Sequence, residues 1–574
     1  MSFLQISRRP LSAGLASLAL LAFCACTGGE PSGKGPDASG KEGRIWEPYN
    51  DSAELAANAD HPIARMRYKL IRSRISDKNE VFGPLYAEVL RMSPETYASL
   101  RPLILEQPIP VIQQHIREGR LSYEQLTRFF LYRIYKYELD NATTLNTVLV
   151  LNPEALRQAR ICDEVLRTLP EERRHPIFGM PILLKDNIGA EGMPTTAGAA
   201  ALVRHRPGDA FITARLRQNG AIVLGKVNLS EWAYYFCEGC PVGYSAVGGQ
   251  TLNPYGRRVF ETGGSSSGSG TAVAAGYAVG AVGTETSGSI LSPSGQNSVV
   301  GLKPTVGLLS RSGIVPISST LDTPGPMAGS TIDAAVLLDA MKGTDMNDPK
   351  AGKYYLEGTG YLPRPYSFAG KRLGVFADLL EMDSLYAGAV QQLREAGAEI
   401  VPFVPPDEEL QGFSTLLNFD MQRDLPAYFS TAVRPADSIQ VRSAEEVVAF
   451  NLADSALRAP YGQARLLGVV HDRTGPDSLE AIKRELRQAG RRFFNTPWQA
   501  NGLEAVLSVN NRHASYAAVA EYPALAVPMG YRETGEPAGL TFIGKPFQEE
   551  KLLDMGHAFE QLLPARQTPQ AYRE

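Results

Sequence analysis

The chain has 574 residues, more than one ordinary domain needs, with 44% hydrophobic and 21% charged residues. That is globular composition, with enough apolar material for a large core. A net charge of −4 carries no basic excess for nucleic acid and no acidic run for a solvating tail.

Arg8 and Arg9 precede an apolar stretch from Leu11 to Phe23, and small residues and cysteines follow. A positive start and a short apolar core predict an export signal over residues 1–25. The stretch falls short of the roughly 20 residues that span a bilayer. Ala25-Cys26 resembles the cleavage and lipidation site of a bacterial lipoprotein signal, with Cys26 as the lipidated residue. Such a signal implies an exported, membrane-anchored protein on the periplasmic or cell-surface side. Ser7-Arg8-Arg9 resembles a twin-arginine signal only in its Arg pair. Ordinary secretory cleavage without lipid is the plainer alternative. Residues 26–44, rich in Gly, Ser, Pro, Lys and Asp, bury too little to fold and predict a flexible tether.

Residues 45–107 predict a helical extension, with helices over Ala53 to Arg74 and Pro84 to Leu105. Pro110 to Leu139 predicts a pair of amphipathic helices, the second capped by Ser122 with Gln125 three residues on. From there strands and helices alternate. Strands are predicted at 181–184, 221–224, 279–282, 299–302, 373–376, 399–404, 505–509, 524–527 and 539–543. Helices are predicted at 211–219, 271–277, 330–341, 385–396, 479–493 and 549–563. Alternation of this kind implies an α/β sheet covered by helices on both faces, in one body over 108–574.

Of five cysteines, two lie in the signal, leaving Cys162, Cys237 and Cys240. A lone CxxC offers two of the four ligands that zinc wants. In an oxidising compartment Cys237 and Cys240 form a local disulfide, and otherwise two thiols in a loop. The seven histidines form no HxH or HExxH pattern, so no metal site is expected. The loop from Tyr234 to Tyr244 is expected at the mouth of a pocket.

The chemistry concentrates between Glu261 and Thr305. Gly263-Gly264-Ser265-Ser266-Ser267-Gly268-Ser269 opens it, Gly283-Thr284-Glu285-Thr286-Ser287-Gly288-Ser289 follows, and Gly301-Leu302-Lys303-Pro304-Thr305-Val306-Gly307 closes it. Upstream sits Gly179-Met180-Pro181-Ile182-Leu183-Leu184-Lys185-Asp186-Asn187. In order and type these blocks resemble the amidase signature family, over about four-fifths of the chain. Tyr522 to Gly530 and Gly539 to Phe542 resemble the family's closing segments. The resemblance implies the amidase-signature fold, with a large mixed sheet, and cleavage of carboxamide C–N bonds without a cofactor. It also implies a triad of Ser289 as nucleophile, Ser265 as bridging serine and Lys185 as base. Thr286, Ser287, Gly288 and Ser289 become the oxyanion-hole amides. Ser287 departs from the Asp or Gly usual there, and its hydroxyl is expected to satisfy local backbone rather than touch substrate.

The chemistry is sound apart from the resemblance. A serine hydroxyl needs a base. Burying Lys185 at the end of the Ile182-Leu183-Leu184 run disfavours its charged form. A neutral lysine takes the proton and returns it to the departing nitrogen. Converging backbone N–H groups for an oxyanion come most easily from a tight Gly turn at a helix start. Competing readings exist. Gly264-Ser265-Ser266-Ser267-Gly268 also matches a G-x-S-x-G nucleophile elbow, with Ser266 as nucleophile, which leaves Lys185 and the second Ser block unexplained. No GK[ST] ends the loop, as phosphate cradling requires. Asp186 reads as a turn cap and Asp322 as structural positioning. Small or peptide C-terminal amides are the expected substrates, since Ser310 to Ile317 and Asn253-Pro254-Tyr255 resemble the peptide amidase branch. A non-catalytic binding lipoprotein with the same fold, or an amidotransferase A-type subunit, is the alternative.

Overall fold

The structure, a computed structural model, describes residues 44–351, 360–434 and 437–574. The expected export signal, Cys26 and the tether up to residue 43 lie outside the described residues. Residues 45–574 form one compact unit. In chain order its strands are β1 (Val148–Leu151), β2 (Pro181–Lys185), β3 (Ile222–Val227), the short pair β4 (Tyr244–Ser245) and β5 (Gly249–Gln250), β6 (Gly280–Glu285), β7 (Val300–Lys303) and β8 (Thr323–Ala328). They continue with β9 (Arg372–Phe376), β10 (Glu399–Phe403), β11 (Ala505–Val509), β12 (Ala524–Tyr531) and β13 (Pro537–Ile543).

All but β4 and β5 join one sheet in the order β1-β3-β2-β6-β8-β7-β12-β13-β11-β9-β10. β2 runs parallel to β3 and β6, and β9 runs parallel to β10 and β11. The other neighbours are antiparallel. This is the expected α/β architecture, a large mixed sheet under helices. β2, β3, β6 and β7 are buried along their whole length. A strand covered on both faces reads as a continuous apolar run rather than an alternation. That is why the periodicity located them within a residue or three.

Two strands of the large sheet, like the short pair β4 and β5, escaped the pattern. β8 begins Thr323-Pro324-Gly325-Pro326, which reads as a loop because proline cannot donate to a ladder. Its register explains the tolerance. β6 pairs with all of β8, whereas β7 pairs only with Met327 and Ala328. The two prolines lie beyond the β7 pairing. β1, Val148–Leu151, is only four residues long, too short to stand out as an apolar run.

The extension is less helical than expected. The helical stretch expected over 53–74 holds only Ser52–Ala57 and the 3-10 turn Ala64–Met66, and 84–105 divides into Tyr86–Val89 and Pro94–Ile104 after the turn Gly83–Leu85. Pro62 interrupts the first stretch, and Ser93 caps the last helix through Thr96 N–H. Between helices the chain is strapped to the 246–261 connector. Ser73 Oγ donates to the Ala246 carbonyl at 3.0 Å, and Ile71 O accepts from Gln250 N–H at 2.8 Å. The Arg65 guanidinium holds the Glu261 carboxylate, with Nη2 to Oε2 at 2.7 Å. The helices Ile109–Arg117 and Tyr123–Glu138 form as expected, the second with a complete capping box from Ser122 and Gln125.

Between β10 and β11 lies a helical layer that the pattern foretold only in part. Phe413–Ala432, Ala444–Leu452 and Ala464–His471 join Pro476–Asn501. Their apolar faces form a second core with Trp232, Tyr235, Phe236, Cys237 and Cys240. The loop from Tyr234 to Tyr244, expected at a pocket mouth, thus packs Tyr235, Phe236, Cys237 and Cys240 into this second core. Cys237 and Cys240 are joined as a disulfide.

Candidate active site

Lys185 ends β2 and is fully buried. Beside it β6 ends at Glu285, and the turn 286–290 leads into the helix Leu291–Gln296. On the other side Gly263 and Gly264 lead through Ser265 into the helix Ser267–Ala274. That helix begins four residues earlier than expected, because the Gly/Ser run is its first turn rather than a preceding loop. The Gly264–Ser265 peptide is cis. Gly263 has φ +63°, and a Cβ there would lie 2.6 Å from Pro293 N, so only glycine fits.

Lys185 Nζ lies 2.7 Å from Ser265 Oγ, 3.0 Å from the Thr284 carbonyl and 2.9 Å from Thr284 Oγ1. An ammonium fills all three with its three protons. A neutral amine donates two and accepts the Ser265 hydroxyl proton. Burial pulls the Lys185 pKa down from 10.5 to about 7, while the charges of Asp322 and Glu285 hold it up. The Ser265 carbonyl accepts from Ser230 N–H at 3.0 Å, and Ser266 N–H donates to the Ser289 carbonyl at 3.1 Å. The two serines are therefore brought to one place by adjacent backbone bonds. Ser265 is 1% and Ser289 8% exposed.

Ser266 is otherwise engaged. Its hydroxyl donates to the Thr284 carbonyl at 3.0 Å and accepts from Thr284 N–H at 3.2 Å. It fastens the helix to β6, and among the described residues no histidine hydrogen-bonds it, which removes the nucleophile-elbow geometry.

Glu285 accepts from Ile290 and Leu291 N–H at 2.7 and 3.0 Å, closing the turn from below. Gly288 has φ +86°, and a Cβ there would meet Asn511 Nδ2 at 2.9 Å. Among the described residues, the N–H groups of Thr286, Ser287, Gly288 and Ser289 donate to no backbone carbonyl. Thr286 Oγ1 donates to Asp322 Oδ1 at 2.5 Å. Asp322 also accepts from Ile317 and Ser318 N–H, at 2.8 and 2.9 Å, and burial pushes its pKa up to about 6 against these bonds.

Two details differ from expectation. The Ser287 hydroxyl does not turn to local backbone but pairs with Ser515 Oγ at 2.9 Å, across to the helix Ala514–Ala520. Asp186 is more than a turn cap. It is fully buried, pairs with Lys226 Nζ at 3.1 Å and accepts from Thr196 N–H at 3.0 Å. Thr284, Asn187 and Ser230 had no role in the sequence reading. Thr284 and Asn187 sat inside the quoted motifs, so position alone marked them.

A cavity of about 720 Å³ opens between the 311–322 loop and the helix Phe413–Ala432, lined by Arg311, Ile314, Ser318, Asp322, Tyr428 and others. It shares Arg311, Ile314 and Asp322 with a small recess that reaches Asn187, Thr284 and Thr286. Trp232, Ala233 and Tyr234, at φ +51°, +53° and +74°, carry Ala233 to the wall of that recess. Three successive left-handed residues persist only where packing enforces them, and here the buried Trp232 ring does so. Among the described residues no three His, Cys, Asp or Glu side chains are grouped to hold a metal ion.

The amidase family model matches residues 125–442. A probable amidase of Arabidopsis thaliana is 36% identical over 484 residues, covering 81% of this chain and 92% of the relative. A crystal structure of an amidase family protein from Bacillus anthracis superposes with a TM-score of 0.82 at 36% identity, covering 87% of this chain and 99% of the other. The peptide amidase from Stenotrophomonas maltophilia superposes with a TM-score of 0.76 at 38% identity, covering 81% and 99%. Fold, site and relatives together define an enzyme that hydrolyses amide C–N bonds. The chain belongs to the amidase family, the amidase signature family that its Gly/Ser blocks resemble.

Proposed function

We propose that the enzyme works through an acyl-enzyme on Ser289, with Ser265 and Lys185 as proton relay. The observation that carries the reading is a fully buried Lys185, with its pKa near 7, 2.7 Å from Ser265 Oγ. Ser289 Oγ attacks the amide carbon, and its proton passes to Ser265 as Ser265 gives its own to Lys185. The carbonyl oxygen becomes an oxyanion facing the N–H groups of Thr286, Ser287, Gly288 and Ser289. Lys185 then returns a proton through Ser265 to the nitrogen, the C–N bond breaks, and the amine leaves. Water, deprotonated by the same relay, attacks the ester, and the acid departs as Ser289 regains its proton.

The substrate is a small carboxamide or a peptide C-terminal amide. In its favour stand the likeness to a peptide amidase at 38% identity and a cavity of about 720 Å³, within the range of small-ligand sites. Export and lipid attachment at Cys26 belong to the same proposal, supported by Arg8, Arg9 and the apolar stretch after them. So do the tether to residue 44 and the extension to 107.

The test is ammonia release from a panel of peptide amides. Ser289→Ala, Ser265→Ala and Lys185→Ala are each expected to lower kcat by about 10³-fold or more. A Lys185→Ala enzyme within about tenfold of wild type would end the relay reading.

A further inference from the structure

We infer that Asn187 binds the leaving nitrogen and confines the enzyme to amides that keep an N–H on it. The inference rests on the acyl-enzyme reading above. Asn187 is 3% exposed and stands two residues beyond Lys185. Its Nδ2 donates to Thr284 Oγ1 at 3.0 Å and faces the Val315 carbonyl at 3.5 Å. A carbonyl only accepts, which fixes the amide with its nitrogen on that side. Its Oδ1 is left buried with no partner among the described residues. An unpaired buried amide oxygen is costly, and such orphans need a reason.

A small recess adjoins the residue. Asn187 lines the small recess with Ala233, Thr284, Thr286, Ile314 and Asp322. The recess offers about 10 Å³ to the centre of a water-sized molecule, room for about one such molecule. Ammonia is of that size. Thr284 Oγ1 bonds both Lys185 Nζ and Asn187 Nδ2, so the recess adjoins the base.

The chemistry needs an acceptor there. When the tetrahedral adduct collapses, the nitrogen lone pair takes the proton from Ser265 as the C–N bond breaks. The lone pair must face Ser265, so the N–H bonds must face elsewhere. Asn187 Oδ1, accepting one of them, sets that rotation about the C–N bond. A tertiary amide has no N–H to offer, and an ester needs none.

The test uses one acyl group as primary amide, N,N-dimethylamide and methyl ester. Wild type is expected to prefer the primary amide over the dimethylamide by about 10³-fold or more in kcat/KM. Asn187→Ala is expected to lower the ratio of amide to ester turnover about 10- to 100-fold. The wild-type series stands even if the variant folds poorly. A dimethylamide accepted within about threefold of the primary amide, or amide and ester falling together in Asn187→Ala, overturns the assignment. If the methyl ester forms no acyl-enzyme on Ser289, the underlying reading has failed and this inference falls with it. If the acyl-enzyme forms and the ratio stays flat, only the role of Asn187 falls.

Discussion

Replacing Asp322 by Asn is expected to move the acid limb of kcat/KM to lower pH. Lys185 is fully buried and held at about 7, against 10.5 for a free lysine. That displacement corresponds to about 5 kcal/mol between the two protonation states. At pH 7 about half of the molecules then hold a neutral amine, against about one in 3,000 for an unshifted lysine. The wild-type limb should have its midpoint near pH 7 and rise to a plateau above it. Asp322 opposes the shift, because its charge stabilises the ammonium. It titrates at about 6, so most of it is charged through the lysine transition. Asp322→Asn removes the charge and keeps one acceptor oxygen for the 317–318 amides that Oδ2 serves, while its Nδ2 can donate to Thr286 Oγ1. The assay is the rate of acylation by a chromogenic ester across pH, which isolates the free enzyme. A wild-type midpoint near 10, or a variant midpoint unmoved or raised, would refute the electrostatic reasoning.

The same lysine ties stability to pH. Its folded pKa is depressed, so between pH 7 and 10.5 the unfolded chain holds a proton that the folded chain lacks. Stability should fall as pH drops through that window and then level below about 7. Urea unfolding of wild type and Lys185→Met at the two ends of the window checks this, and equal pH slopes would contradict it. Gly288→Ala places a Cβ 2.9 Å from Asn511 Nδ2 in a left-handed turn, and kcat should fall about 10²- to 10³-fold. Unchanged turnover would show that the 286–289 turn is not the oxyanion cradle. Ser287→Ala and Ser515→Ala should each cost about 1 kcal/mol, with coupling of similar size in the double-mutant cycle. Additive effects would dissolve the pair.

The motif blocks that carry the candidate site were more legible than the fold around them. Ser265 and Ser289 sit in Gly-rich blocks whose residue types answer to local backbone needs, such as the positive φ of Gly263 and Gly288, and Lys185 ends an apolar buried strand. Local rules of that kind survive in a single chain. The hold of Thr284 on the lysine did not show, because it reaches Lys185 from 99 residues away across the β2–β6 pairing. Ser287 was misjudged for the same reason, since Ser515 is 228 residues distant. The buried strands were readable as apolar runs. The layer between β10 and β11 was readable only at its last helix, Pro476–Asn501, because Phe413–Ala432 carries Pro426 inside the helix. Its apolar face is answered by Trp232 and Phe236 on a loop far upstream, and proline in mid-sequence argues for a break. β8 hid behind two prolines until its register was known.

The most direct measurement is to treat the enzyme with a fluorophosphonate and map the adduct by peptide mass spectrometry. The expected result is one adduct, on Ser289, formed faster as pH rises through 7 and lost in Lys185→Ala. An adduct on Ser266, or labelling of Ser289 that persists at the wild-type rate without Lys185, would contradict the Ser289–Ser265–Lys185 assignment.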